Sequence, residues 1–224
     1  MALSGGKYTR VHHFEYKSKI AEYGRLQAQA HPTFKFQTVE AGFYATNILP
    51  SAGGLVTRDD DGEWSFSSLE PVAEPGAIPV PMVDINADYR VWVRAVIEHK
   101  ELQDDARPVL TCGEEISLHD LLNGLEKKAG ITINRTLVSQ EAMTEKLEAA
   151  STPQHIIDDF EDMWSFLQNL GYYGGQDIHW ADKHLARKPK TWAEWLETAD
   201  LSDFFLIDFD SSRAAEAFAI EAVC

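Results

Sequence analysis

Residues 108–138, PVLTCGEEISLHDLLNGLEKKAGITINRTLV, carry the reading that decides the fold class. Pro108 to Cys112 is a short apolar run, read as a strand. Ser117 supplies a side-chain oxygen for the free N–H groups of a first helical turn. The stretch SLHDLLNGLEKKAG is then a helix, and Gly130 ends it because glycine takes left-handed backbone without a Cβ penalty. Residues 131–138 alternate apolar and polar, the pattern of a half-buried strand.

The same alternation extends outward. Upstream, residues 14–30 read as a helix that stops at His31-Pro32, since a residue before proline avoids the helical region. Residues 34–39 alternate as a strand, and GFYATNIL (42–49) is a strand exit entering a turn or short helix. Residues 55–57 and 63–67 flank Asp61-Gly62, a hairpin signal. Pro71, Pro75, Pro79 and Pro81 make residues 69–81 an extended connection. Asp84 or Asn86 caps a helix over 87–100 with Val91, Val93, Ala95, Val96 and Ile97 on its apolar face. Downstream, Ser139 starts a helix. Thr152-Pro153 starts a long one whose stripe is Ile156, Ile157, Phe160, Met163, Trp164, Phe166 and Leu167, stopped by Gly171 to Gly175. Thr191 and Glu194 form a capping box for a short helix over 191–197. The tail from Asp203 reads as a strand-like segment and a last helix. Alternating helices and strands mean an α/β layered fold with at least partly parallel strands, and the helical C-terminal stretch is an added lobe.

Composition narrows the function classes. The 224 residues carry 36 acidic and 20 basic side chains, a formal charge of −16. A direct nucleic-acid binder needs a concentrated basic face, so that class is excluded. No apolar run reaches the roughly 18 residues of a membrane span, and the N-terminus is unlike a signal peptide. The two cysteines, Cys112 and Cys224, fit a reducing compartment, cytoplasmic or nuclear.

VHHFEYKSKIAEYGR (11–25), TVEAGFYATN (38–47), VPMVDINADYRVWVRAVI (80–97) and LTCGEEISLHDLLNGLEKKAGI (110–131) carry a resemblance. In this order the chain resembles the NmrA-like family of atypical short-chain dehydrogenase/reductases. Family members show His-Phe-x-x-Lys on a helix, Arg-Pro-Gly-x-Tyr-x-x-Asn at a strand exit, an aspartate-bearing Asp-Ile/Val segment and a Gly-Glu strand and helix. The resemblance implies a remnant of a Rossmann-like parallel sheet plus a helix-rich C-terminal lobe, divided at residue 50 into 1–50 and 51–224. It implies NADP or NAD as cofactor, and a regulatory or redox-sensing role with a transcription factor as partner. The alternative is an oxidoreductase acting on a small carbonyl or aromatic metabolite, so whether the chain is an enzyme stays open. No G-x-G-x-x-G occurs anywhere in the sequence. The family's glycine-rich phosphate loop lies upstream of the His-Phe-x-x-Lys helix, so the chain reads as a C-terminal part lacking that loop. A missing half-sheet would leave apolar faces open to a second copy of the chain.

The resemblance also places the site residues. Lys17 would hold the nicotinamide ribose, and His13, one helical turn before it, stands where the proton-donating tyrosine usually is. Gly42, Phe43, Tyr44 and Asn47 would line the strand exit beneath the nicotinamide, with Glu40-Ala41 replacing the family's Arg-Pro. The competing readings are a solvated lysine with a loop histidine, and a core aromatic pair closing a strand. In the reductase alternative the Trp- and Phe-rich C-terminal lobe would line a substrate pocket. Asp177, His179, Asp182 and His184 match no zinc signature and read as a solvated loop, so no metal is expected. Cys112 reads as a buried inert thiol and Cys224 as exposed. The acidic stretches 59–61, 158–161 and 200–210 read as solvated faces that also suit a basic protein partner.

Overall fold

The computed structural model describes residues 2–50, 54–59, 61–69 and 79–205. In chain order the elements are α1 (His12–Ala30), β1 (Val39–Glu40), β2 (Phe43–Tyr44), a 3-10 turn at Ala45–Ile48, β3 (Val56–Arg58), β4 (Trp64–Leu69) and β5 (Pro79–Val83). There follow α2 (Tyr89–Glu98), α3 (Lys100–Asp104), β6 (Val109–Leu110), β7 (Glu114–Ser117), α4 (Leu118–Ala129), β8 (Ile133–Val138), α5 (Gln140–Ala149), α6 (Gln154–Leu170) and α7 (Trp192–Thr198).

The strands pair as β1-β6, β2-β5-β7 and β3-β4-β8. β1-β6, β2-β5 and β4-β8 are parallel, which bears out the α/β class, while β3-β4 and β5-β7 are antiparallel. The β3-β4 hairpin turns where expected, with Gly62 at φ +83 and the Asp59 carboxylate accepting from the Asp61 and Glu63 N–H groups. β1 and β2 pair with strands beyond residue 50, so the layers run across that position.

Local chemistry accounts for most boundaries. Ser117 accepts from Asp120 N at 3.0 Å and Gly130 closes α4 at φ +68, while Thr191 and Glu194 form the full capping box of α7. Several expectations need correction. The strand expected over 34–39 pairs only at its end, from the Thr38 carbonyl onward, because among the described residues its N-terminal part meets no partner strand. Glu114–Ser117 forms a strand, β7, on β5, in line with the Gly-Glu strand that the resemblance implies ahead of α4. The helix expected over 87–100 breaks at His99 into α2 and α3, and its buried face is Val91, Trp92 and Ala95, with Ile97 70 % exposed. α6 begins at Gln154 with Pro153 as its boundary and no side-chain cap from Thr152. Ser202–Phe204 is a 3-10 turn instead of a strand. Residues 206–224, with the expected last helix and Cys224, lie outside the described residues, as do Pro71, Pro75 and Asp60.

The main core joins α4 (Leu121, Leu122, Leu125), the β4 and β8 faces (Phe66, Ile133), β5 (Met82) and α7 (Trp192, Trp195, Leu196). A second core gathers Val83, Trp92, Ala95, Leu102, Val109 and Ala181. Between them, two buried carboxylates hold the segment leading into α7. Asp88, fully buried, accepts from Lys190 N at 2.7 Å and lies 2.6 Å from the Arg187 guanidinium. Asp84 accepts from Lys190 Nζ at 2.9 Å and from Ala87 N at 3.0 Å. Burial pushes the Asp84 pKa up, but Lys190 and the Ala87 and Asn86 N–H groups outweigh it and hold the carboxyl below its usual range. Asp88 leaves its own helix uncapped because its carboxylate faces this clamp. Among the described residues no helix is long and apolar enough to cross a membrane.

Candidate functional site

His13 and Lys17 lie one turn apart on α1, and their surroundings differ. Lys17 is exposed and pairs with no described acid. His13 is half-buried, its Nδ1 2.5 Å from Asp159 Oδ1, and its backbone N–H donates to Asp159 Oδ2 at 3.2 Å. α1 has no side-chain cap of its own, because Val11 precedes it, so Asp159 of α6 serves as that cap from outside. Burial raises the Asp159 pKa, yet the His13 bond and charge and the His12 and His13 N–H groups hold it below the usual range. Arg10 adds ion pairs to Asp158, Glu161 and Asp162 at 3.0, 3.2 and 2.9 Å. The 158–161 stretch is thus a clamp on the start of α1, which corrects its reading as a solvated face.

The strand exit is built differently. Gly42 is buried and its N–H donates to Thr111 Oγ1 at 3.0 Å. A Cβ there would stand 2.6 Å from the Thr111 carbonyl oxygen and nearer still to that of Pro81. Glycine is needed here for close backbone packing, whatever binds nearby. Phe43 packs against the main core, Tyr44 is 37 % exposed, and Asn47 lies in the 3-10 turn with its carbonyl accepting from Leu55 N at 2.8 Å. No hydrogen bond or ion pair among the described residues joins His13 or Lys17 to residues 42–47.

What α1 brings to the strand exit is Arg25, whose charge acts on Glu40. Burial pushes the Glu40 pKa up, opposed by Arg25 and by the Thr38 hydroxyl. Phenols brace the backbone around Glu40. Tyr89 OH donates to Val39 O at 2.6 Å, and Tyr173 OH bridges Glu40 O and Thr111 O at 3.0 and 3.1 Å. Burial raises the pKa of Tyr172 and Tyr173 far above the phenol range, so both stay neutral braces. Sequence reasoning missed this cluster. Its one local signal is Glu40 where the resemblance implies arginine, and the phenols arrive from distant segments. A carboxyl whose folded pKa is raised costs stability above that pKa and nothing below its unfolded value. Glu40→Gln therefore raises Tm at pH 7 and leaves it unchanged below about pH 4, measured by calorimetric scans at both values.

The remaining candidates resolve plainly. Cys112 is buried and its thiol is pushed up to about 12, first by desolvation and then by Glu115, Asp182 and Glu114, so it is an inert thiol. Trp192 and Trp195 stack at 4.9 Å inside the main core, 3 % and 5 % exposed. His179 pairs with Asp182 at 2.7 Å while Asp177 accepts from His179 N, and His184 turns elsewhere. A cavity of about 370 Å³ lined by Gln140, Glu141, Thr144, Glu145 and Glu161 contains none of the candidate residues.

Three solved structures share this fold. An isoflavone reductase matches with a TM-score of 0.55 at 18 % identity, over 82 % of this chain and 57 % of its own. A nucleoside-diphosphate-sugar epimerase from Staphylococcus aureus matches at 0.52 and 18 %, over 77 % and 55 %. NmrA, a negative transcriptional regulator solved in complex with NADP, matches at 0.51 and 13 %, over 86 % and 57 %. The chain thus spans little more than half the length of these structures. No curated protein sequence matches it significantly. The family model described as the NmrA-like family matches residues 2–196. By that match, and with the parallel pairing around β1, β2, β5 and β6, the chain belongs to the NmrA-like family.

Proposed function

We propose that this chain is an NAD(P)-binding regulatory or redox-sensor protein, contributing the ribose and nicotinamide end of the cofactor site without a glycine-rich phosphate loop. Lys17 holds the ribose, and Gly42, Phe43, Tyr44 and Asn47 form the wall beneath the nicotinamide. The observation that carries this reading is the pair of contacts from the His13 ring and backbone N–H to the Asp159 carboxylate. The residue at the tyrosine position is occupied in fastening α1 to α6, which suits a binding protein better than a proton shuttle. The NADP complex of the transcriptional regulator with this fold supports the cofactor class. Residues 1–50 then supply the cofactor-binding side, with β5 and β6 completing its parallel pairing, and the rest of 51–224 meets a substrate or partner. The charge of −16 suits a basic protein partner such as a transcription factor, in cytoplasm or nucleus. Tyr16, Ile20, Tyr23 and Leu26, all more than half exposed along one face of α1, offer a surface for a second copy.

A second reading, an NAD(P)H-dependent reductase of a small carbonyl or aromatic metabolite, is favoured by the same pair seen from the other side. A carboxylate on Nδ1 orients an imidazole for acid–base work, with Lys17 one turn away. The two separate in one experiment. NADP⁺ titrated into the chain binds saturably, and Lys17→Ala weakens it about 10-fold, the loss of one charge-assisted contact. NADPH with a panel of aldehydes and quinones is not consumed. Consumption that His13→Ala abolishes would overturn the regulatory reading in favour of the reductase.

A further inference from the structure

Outside the cofactor site, the corner between α2 and α3 brings three metal-type donors together. His99 ends α2, its N–H bonded to Ala95 O, while its carbonyl accepts from Leu102 N and Gln103 N at the start of α3. Gln103 Nε2 donates to the Val96 and Ile97 carbonyls, which fixes the corner. Glu101 lies in the first turn of α3. From the far end of the chain, the 3-10 turn Asp182–His184 sets the His184 ring against His99, centroids 4.7 Å apart and tilted by 50°. The candidate ligand atoms of His99, Glu101 and His184 all lie within 4.8 Å of one another. No hydrogen bond or ion pair to a described residue uses these three side chains. Both backbones are anchored in one core, through Leu102 at 1 % exposure and Ala181 at 0 %.

We propose that His99, Glu101 and His184 bind a divalent transition-metal ion, Zn²⁺ by their chemistry. Two imidazoles and one carboxylate are the borderline donor set that zinc prefers over magnesium or calcium, and three protein ligands leave a position for water or a small anion. Ligands around a tetrahedral zinc stand roughly 3.4 Å apart, from bonds of about 2.1 Å, so side-chain rotations at this half-buried corner close the site. The ion ties the α2–α3 corner to the segment that leads through Arg187 and Lys190 into α7. The His-x-Glu pair at 99–101 is visible in the sequence, but only folding supplies its distant partner.

The test uses the untagged full chain and ZnCl₂. Competition against a chromophoric chelator gives one ion per chain, with Kd of about 1 μM or tighter. At 100-fold excess over Kd, Tm rises by about 5–10 °C. His99→Ala and His184→Ala each weaken binding at least 10-fold, whereas His179→Ala leaves it unchanged. In the unsubstituted chain, Zn²⁺ shifts the ring ¹H–¹⁵N signals of His99 and His184, a readout that needs no variant to fold. Absence of binding at 100 μM Zn²⁺, roughly 100 times that Kd, or binding that survives both substitutions, or shifts confined to other histidines, would overturn the proposal.

Discussion

Arg187→Met destabilises the chain by about 3 kcal/mol, because it leaves a fully buried carboxylate without its counter-ion. Asp88 keeps only the Lys190 N–H after this change. The guanidinium is itself partly exposed, so little of the loss comes from Arg187's own burial. Denaturant unfolding of three variants checks the cause. Asp88→Asn/Arg187→Met is more stable than Arg187→Met alone, since the second change removes the orphaned charge, and the cycle shows a coupling of about 1–3 kcal/mol. Additive losses would mean that Arg187 acts through packing. The Asp84–Lys190 bond gives the clamp its acid sensitivity. A carboxyl whose folded pKa is depressed stabilises above its unfolded value, and that contribution fades as pH falls through the folded one.

Gly42→Ala has an effect of similar size for a different reason. The added methyl meets two backbone carbonyl oxygens, which cannot rotate away as a flexible side chain would. Separating β2 from β5 and from the Thr111 backbone costs about 3 kcal/mol, near 10 °C in Tm for a chain of this size. The loss appears in thermal scans without any cofactor present. Unchanged stability would return Gly42 to the purely ligand-facing role that the family resemblance implies.

The elements that could be read from sequence are those with local causes. Ser117 and Gly130 bracket α4, Asp61-Gly62 turns the β3-β4 hairpin, and Thr191 with Glu194 starts α7. Each is a hydrogen bond or backbone preference within four residues. What escaped was set by partners far along the chain. The acidic row of α6 is a clamp because Arg10 and His13 arrive there. Trp92 is buried although Ile97 is not, because at 3.6 residues per turn the two lie on different sides of α2, and only tertiary packing decides which side is covered. The site followed the same division. His13, Lys17 and the 42–47 exit were nameable from motif order, while the phenols around Glu40 and the His99–His184 contact depend on tertiary approach.

The central claim, an NAD(P) site at Lys17 and residues 42–47, is tested most directly by titrating NADP⁺ and NAD⁺ into ¹⁵N-labelled chain. The account predicts saturable amide shifts at Lys17 and Phe43 to Asn47, with Kd of about 1 mM or tighter. Lys17→Ala should shift that Kd upward about 10-fold. Shifts absent up to several times that concentration, or confined to surfaces away from α1 and β2, would contradict it.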